Sequence, residues 1–185
     1  MSVLPTIFTS RLAMRPFEMV DAARVQLLAG DADVAAKTEL IPHPYPDGAA
    51  QQWISEHKAS YQAHKSLTLA VVLRQDNQLI GAMNLGSLSK QHQSAELGYW
   101  IGKPYWSLGY GTEAAAAMVQ HGFDTHALHR INGRCLRSNQ ASAKVMRKTG
   151  FVDEGCLRES AYKSHQFQDV LVFGLLRSEW LLHKS

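Results

Sequence analysis

Two glycines one residue apart are the first chemically telling feature of this chain. They stand in Tyr105-Trp106-Ser107-Leu108-Gly109-Tyr110-Gly111-Thr112-Glu113-Ala114. An apolar, aromatic run, Glu96-Leu97-Gly98-Tyr99-Trp100-Ile101, comes before them, and a small-residue stretch from Ala114 to Phe123 that reads as a helix comes after. Strand, glycine turn and helix start together gather free N–H groups and a positive helix end around one point, which suits an anion, most often a phosphate. Glycine at 109 and 111 lets the backbone approach a ligand closely and adopt positive φ. The Thr112 hydroxyl is placed to cap the helix or touch the anion. No Lys-Ser/Thr pair follows the glycines and no third glycine stands at the dinucleotide spacing, so neither common nucleotide loop is present. A glycine turn that merely joins strand to helix would give the same local pattern. Asn139 and Ser142 form a second polar pair, at the spacing of a helix N-cap and its third residue.

The composition bounds what can surround these groups. A chain of 185 residues, 45% apolar, with mean hydropathy −0.21, suits one soluble domain spanning 1–185, its core at about 9–178. No apolar run nears the ~20 residues that cross a bilayer, and Met1 to Ser10 lacks the basic start and long apolar core of a signal peptide. Cys135 and Cys156 make no disulfide framework, so the expected compartment is a reducing cytoplasm. A net charge of +3 favours an acidic ligand, but no aromatic and basic residues interleave as in an RNA motif, so no direct nucleic-acid binding is expected. His126 and His129 lack a third ligand nearby in sequence, and no metal is expected.

The elements that must position these residues follow from periodicity and breakers. Arg11–Arg15 alternates as a strand ended by Pro16, and Asp21–Leu28 reads as a helix. Three prolines make 41–48 a loop, followed by a helix at about Ala49–His64. Leu67–Arg74 and Gln78–Leu88 read as a hairpin, with a third strand at Ser94–Ile101. Beyond the glycine loop come a strand at Arg130–Leu136, a helix at Asn139–Lys148 and closing strands at Phe151–Glu159 and Asp169–Leu176. This order predicts an α/β sandwich with a mixed sheet.

Four segments, taken in order, resemble the GNAT-superfamily N-acetyltransferases, and within them the group that acetylates the alanine or serine N-termini of ribosomal proteins. They are Thr9–Pro16, Ala95–Ile101, Trp106–Ala114, and Asn139–Ser142 with Lys148-Thr149-Gly150-Phe151 and Glu154-Gly155. The resemblance implies the GNAT fold: a mixed, mostly antiparallel twisted sheet flanked by helices, whose splayed central strands hold acyl-CoA. It implies acetyl-CoA as co-substrate, with CoA as product. Tyr99, Trp100 and Ile101 would line the pantetheine arm, Trp100 and Ile101 flanking the acetyl end. Ser107, Leu108, Gly109, Tyr110, Gly111 and Thr112 would hold the pyrophosphate. Asn139 would contact the arm. Part of the basic set Arg134, Arg137, Lys144, Arg147 and Lys148, otherwise a solvated face, would meet the 3′-phosphate.

The implied reaction is attack of a neutral amine on the thioester. Many members of the superfamily protonate the leaving thiolate from a tyrosine four residues before the Gly-Phe pair. That position is Met146 here, which has no proton to give, so Ser142 becomes the candidate general acid. Glu96, on the pantetheine strand, is the candidate base, directly or through water; a carboxylate that only orients the amine fits the same position. Substrate selection is expected around His43, Tyr45, Trp53 and Tyr61. A protein α-amine, with pKa near 7.7–8.0 against about 10.4 for lysine, needs little help from a single carboxylate. The acceptor expected is therefore a protein N-terminus, with a small-molecule amine (aminoglycoside, polyamine or amino-acid derivative) as the alternative. A catalytically silent acyl-CoA binder is the rival of another class. The expected assembly is a monomer or homodimer.

Overall fold

A computed structural model describes residues 3–182 of the protein. Eight strands form one sheet in the order β1-β2-β3-β4-β5-β6-β8-β7. They are β1 (Ile7–Phe8), β2 (Leu12–Arg15), β3 (Leu67–Leu73), β4 (Leu79–Ser89), β5 (Ser94–Ile101), β6 (Arg130–Leu136), β7 (Val152–Lys163) and β8 (Gln166–Leu176). The helices are α1 (Ala22–Ala29), α2 (Ala32–Ala36), α3 (Ala49–Gln62), α4 (Tyr110–Thr125), α5 (Gln140–Lys148) and α6 (Arg177–Leu182). Among the described residues no helix is long and apolar enough to cross a membrane.

The sheet is covered on both faces, which is why β3, Leu-Thr-Leu-Ala-Val-Val-Leu, is buried at every position. On one face α4 packs Met118, Val119 and Phe123 onto Leu69, Met83, Leu85 and Leu97. On the other, Val25 and Leu28 of α1 and Ile54 of α3 meet Ala70, Val72, Ala82 and Trp100. Side chains alternate along β5, so Leu97, Tyr99 and Ile101 face α4, while Glu96, Gly98 and Trp100 face α1 and α3.

Among the described residues β5 and β6 are the only parallel neighbours, joined through α4 as the crossover that parallel pairing requires. Their ladder runs from Ser94 opposite Arg130 to Leu97 opposite Gly133 and stops there. Both strands continue, to Ile101 and Leu136, so the sheet forks at its middle. Met146 of α5 fills the crotch. A Cβ at Gly133 would stand 2.8 Å from the Met146 sulfur, so this glycine admits the buried thioether.

The expected mixed sheet, the fork and every strand read from the sequence are present. The sequence reading missed β1, α2 and α6, of two, five and six residues, which are too short to show a period. α4 begins at Tyr110 instead of Ala114, so Tyr110, Gly111, Thr112 and Glu113 are already helical. β7 and β8 each run past the expected bounds; β7 is an edge strand exposed along most of its length, with no alternation to mark it.

A clasp ties the chain's start to α4. One Glu113 oxygen accepts from Thr9 Oγ1 at 2.6 Å, Ser10 Oγ at 3.0 Å and the Arg11 backbone N–H at 2.9 Å; the other accepts from Arg11 Nε at 2.6 Å. Arg11 also donates to the Leu108 carbonyl at 2.9 Å and lies 4.5 Å over the Tyr110 ring. Burial pushes the Glu113 carboxyl up, but the bonds from Thr9, Arg11 and Ser10 outweigh it and hold the pKa down to about 2. A depressed carboxyl stabilises the fold fully above its ordinary pKa and loses that contribution as pH falls through the folded value. Glu113→Gln is therefore expected to melt about 3–12 °C below the unsubstituted protein at pH 7, from ~1.5–3 kcal/mol for charged hydrogen bonds and ~2–4 °C per kcal/mol. Melting curves from pH 7 down to pH 2 should show that gap closing below pH 4.5, and a gap independent of pH would contradict this account.

Candidate active site

Behind the glycine loop lies a chamber of about 560 Å³. Gly109 is the N-cap of α4 at φ 83°, in left-handed backbone that favours glycine, and Ser107 before it has φ 61°. No side chain caps this helix end, so its first N–H groups are left to a ligand. Thr112 lies inside the first turn, where it does not cap the helix, and lines the chamber. Gly111 has no positive φ, contrary to expectation. Its missing side chain matters otherwise: a Cβ there would meet Ile101, Val145 and Tyr99 at 3.8–4.0 Å and fill the chamber wall. Ser107 and Tyr110 line the same space, whereas Leu108 is half exposed and lends its carbonyl to Arg11. Of the basic set, Arg134, Arg137 and Arg147 are spent on Glu39, Asp169 and Asp153, and Lys144 and Lys148 line the chamber. Uncapped N–H groups, an open glycine wall and two ammonium groups fit the phosphates of a coenzyme A ester.

A second chamber, of about 480 Å³, opens on the other face of the sheet. The two share Lys37, Thr38, Tyr99, Trp100, Asn139 and Ser142, and together they pass through the fork. At this junction the Tyr99 and Ser142 hydroxyls lie 2.9 Å apart. Burial pushes the Tyr99 phenol up to about 12, against the opposing pull of its bond to Ser142, so it keeps its proton at any working pH. Asn139 caps α5 by accepting from the Ser142 N–H at 3.1 Å, as the spacing predicts, and its amide also donates to the Lys37 carbonyl at 2.8 Å. Ile101 lines only the loop chamber, where Trp106 Nε1 donates to its carbonyl at 2.6 Å; Trp100 is the member of that pair that reaches the junction.

Glu96 lines the second chamber and is half-buried. Its carboxylate makes no ion pair or hydrogen bond among the described residues, although it feels the charge of Arg134. That guanidinium forks onto Glu39 at 3.0 and 2.6 Å. Glu39 belongs to a strap, residues 37–41, drawn across the chamber mouth. Lys37 Nζ donates to the Ser138 carbonyl at 3.1 Å, and Lys163 from the β7–β8 hairpin donates to the Ile41 carbonyl. Tyr45 and Trp53 line the chamber as expected, while His43 turns to the Gly30 carbonyl and Tyr61 packs on the opposite core. Sequence reasoning missed His57, which lies against Trp53 and Phe17 at 4.4 and 5.2 Å. Both its ring nitrogens are unpartnered and burial lowers its pKa to about 4, so it is a neutral ring packed behind Trp53 and does not itself line the chamber. Asn84, Thr68 and Glu39 were missed too; only the tertiary fold brings them to Glu96.

Gly109→Ala tests the loop. Non-glycine residues in left-handed backbone cost about 1–2 kcal/mol, and the new methyl would stand 3.3 Å from Arg11. Titration calorimetry with coenzyme A should show affinity falling about five- to thirtyfold; unchanged affinity would separate the loop from ligand binding.

Known proteins resemble the chain along its whole length. The acetyltransferase (GNAT) domain family matches residues 11–152. An N-acetyltransferase of uncharacterised function from Bacillus subtilis, YnaD, is 30% identical over 94% of this chain and 98% of its own. The ribosomal-protein-serine acetyltransferase of Escherichia coli is 26% identical over 53% of this chain and 55% of its own. Spermidine N-acetyltransferase of Vibrio cholerae, solved with CoA and spermine, superposes with a TM-score of 0.81 at 22% identity, covering 94% of this chain and 99% of that one. The chain belongs to the GNAT family of N-acetyltransferases.

Proposed function

We propose that this protein transfers the acetyl group of acetyl-CoA to the N-terminal α-amine of a protein, a ribosomal protein being the acceptor its relatives suggest. One observation carries the reading: a single passage crosses the sheet at the fork, with the glycine loop at one end and the unpaired Glu96 at the other. The acceptor chamber is largely apolar, and Glu39, its other carboxylate, is already held by Arg134. One free carboxylate suits a lone amine. A polyamine, whose charges repeat along its length, calls for several.

Acetyl-CoA supplies the activated acyl group. The chain supplies position and proton transfer, and bringing the reactants together in one passage is the larger share. Glu96 takes one proton from the amine as the amine nitrogen bonds to the acetyl carbon and the carbon–sulfur bond breaks. Ser142 gives a proton to the departing sulfur. Tyr99, 2.9 Å away, replaces that proton and regains its own from solvent.

Thiol release is the test, using peptides that copy ribosomal-protein N-termini beside polyamines, aminoglycosides and free amino acids. Release with peptides alone, abolished when the α-amine is blocked, is the expected result; release with one small amine only would move the protein to that substrate. Glu96→Gln should lower kcat about 10²- to 10⁴-fold while the KM for acetyl-CoA stays within about twofold. Turnover unchanged in that variant would remove Glu96 from proton transfer.

A further inference from the structure

The floor of the acceptor chamber holds one polar group that proton transfer does not use. Asn84 on β4 lies opposite Gly98 on β5, and Gly86, two residues along the same face, lies opposite Glu96. Asn84 and Glu96 are therefore diagonal neighbours on one face of the sheet, within reach of a common ligand. The Asn84 amide is oriented from behind. Its nitrogen donates to Thr68 Oγ1 at 2.6 Å and reaches toward the Leu67 carbonyl at 3.4 Å. Thr68, 5% exposed, is fixed in β3 directly across from it. The Leu67 carbonyl can only accept, and the Thr68 hydroxyl accepts beside it, so the amide nitrogen is held on that side and the carbonyl oxygen faces the other way.

That oxygen leans over Gly86, toward the row of Glu96. A Cβ at Gly86 would stand 2.7 Å from Asn84 Oδ1, and one at Gly98 would stand 3.8 Å from it. Two glycines thus keep the space around this oxygen open. It accepts no hydrogen bond among the described residues, yet it lines the chamber beside a free carboxylate. An acceptor held in place, unmatched within the protein and reachable from the chamber is available to a ligand that donates to it.

We infer that Asn84 Oδ1 accepts one N–H of the reacting amine, fixing its lone pair while Glu96 takes the other N–H proton. This rests on the amine-acetylating role proposed above and narrows it. A neutral primary amine has two N–H bonds, which match the two acceptors on the floor. A neutral secondary amine has one and leaves Asn84 unmatched. Asn84 is a specificity-determining residue on this account, and Thr68 is the positioning residue that acts through it.

Two substitutions approach the oxygen from different sides. Asn84→Ala removes it, and Gly86→Ala leaves it in place but pushes it aside with a methyl. The second meets only the end of a flexible side chain and has no positive φ to lose, so it tests the idea even if the first variant folds poorly. Steady-state kinetics would use a peptide beginning with alanine and the same peptide N-methylated at its α-nitrogen. Both variants should raise the KM for the alanine peptide and lower kcat/KM about tenfold, the scale of one hydrogen bond. The KM for acetyl-CoA should stay within about twofold, and the preference for the primary over the methylated amine should shrink about tenfold. Thr68→Val should move the same quantities in the same direction, less far.

If both variants keep kcat/KM within twofold, or lose it equally for the two peptides, the Asn84 assignment falls while amine acetylation stands. If the unsubstituted protein releases no thiol with any primary amine, the functional reading falls and the assignment with it.

Discussion

Everything distinctive about this molecule follows from a ladder that is too short. Two parallel strands in the middle of an eight-stranded sheet share four rungs and then part, although each has three or four more residues to offer. A sheet that pairs fully presents two closed faces. This one is perforated where its hydrogen bonding is interrupted, so groups on opposite faces come within reach of one ligand. Gly133, at the last rung, is where the divergence is set. Its bare backbone lets a thioether from α5 sit in the crotch as a wedge, and the polar side chains of that helix's first turn stand at the opening.

The surroundings hold this opening from both sides. On the loop side, Glu113 draws Thr9, Ser10 and Arg11 together and Arg11 grips the carbonyl of Leu108, so the glycine turn is braced by a segment about a hundred residues earlier. On the acceptor side, the 37–41 strap is tied to β6, to α5 and to the β7–β8 hairpin. Each set of ties anchors an irregular segment to helices or strands and borders one chamber. The rings of Phe17, Trp53 and His57 pack edge to face or tilted beside the acceptor chamber, with His57 buried and neutral.

What was legible in the sequence was what is local. Asn139 and Ser142 are three residues apart, and their cap could be read from that spacing alone. Gly109 announced a left-handed turn. Glu39 with Arg134, and Arg11 with Glu113, were invisible because 95 and 102 residues separate the partners and nothing in a charge by itself names its mate. Asn84 was hidden for a different reason. A single amide in an apolar strand looks like a flaw until the register sets it across from one glycine and beside another. Gly111 misled because glycine was taken to mean unusual φ, whereas here it means empty space.

Asn139 serves two masters. Its oxygen holds the first turn of the helix that borders the donor chamber, and its nitrogen holds the carbonyl of Lys37, where the strap over the acceptor chamber begins. The two chambers therefore share a joint: one amide sets both the terminus of α5 and the start of the strap, and each of its two bonds limits where the other can lie.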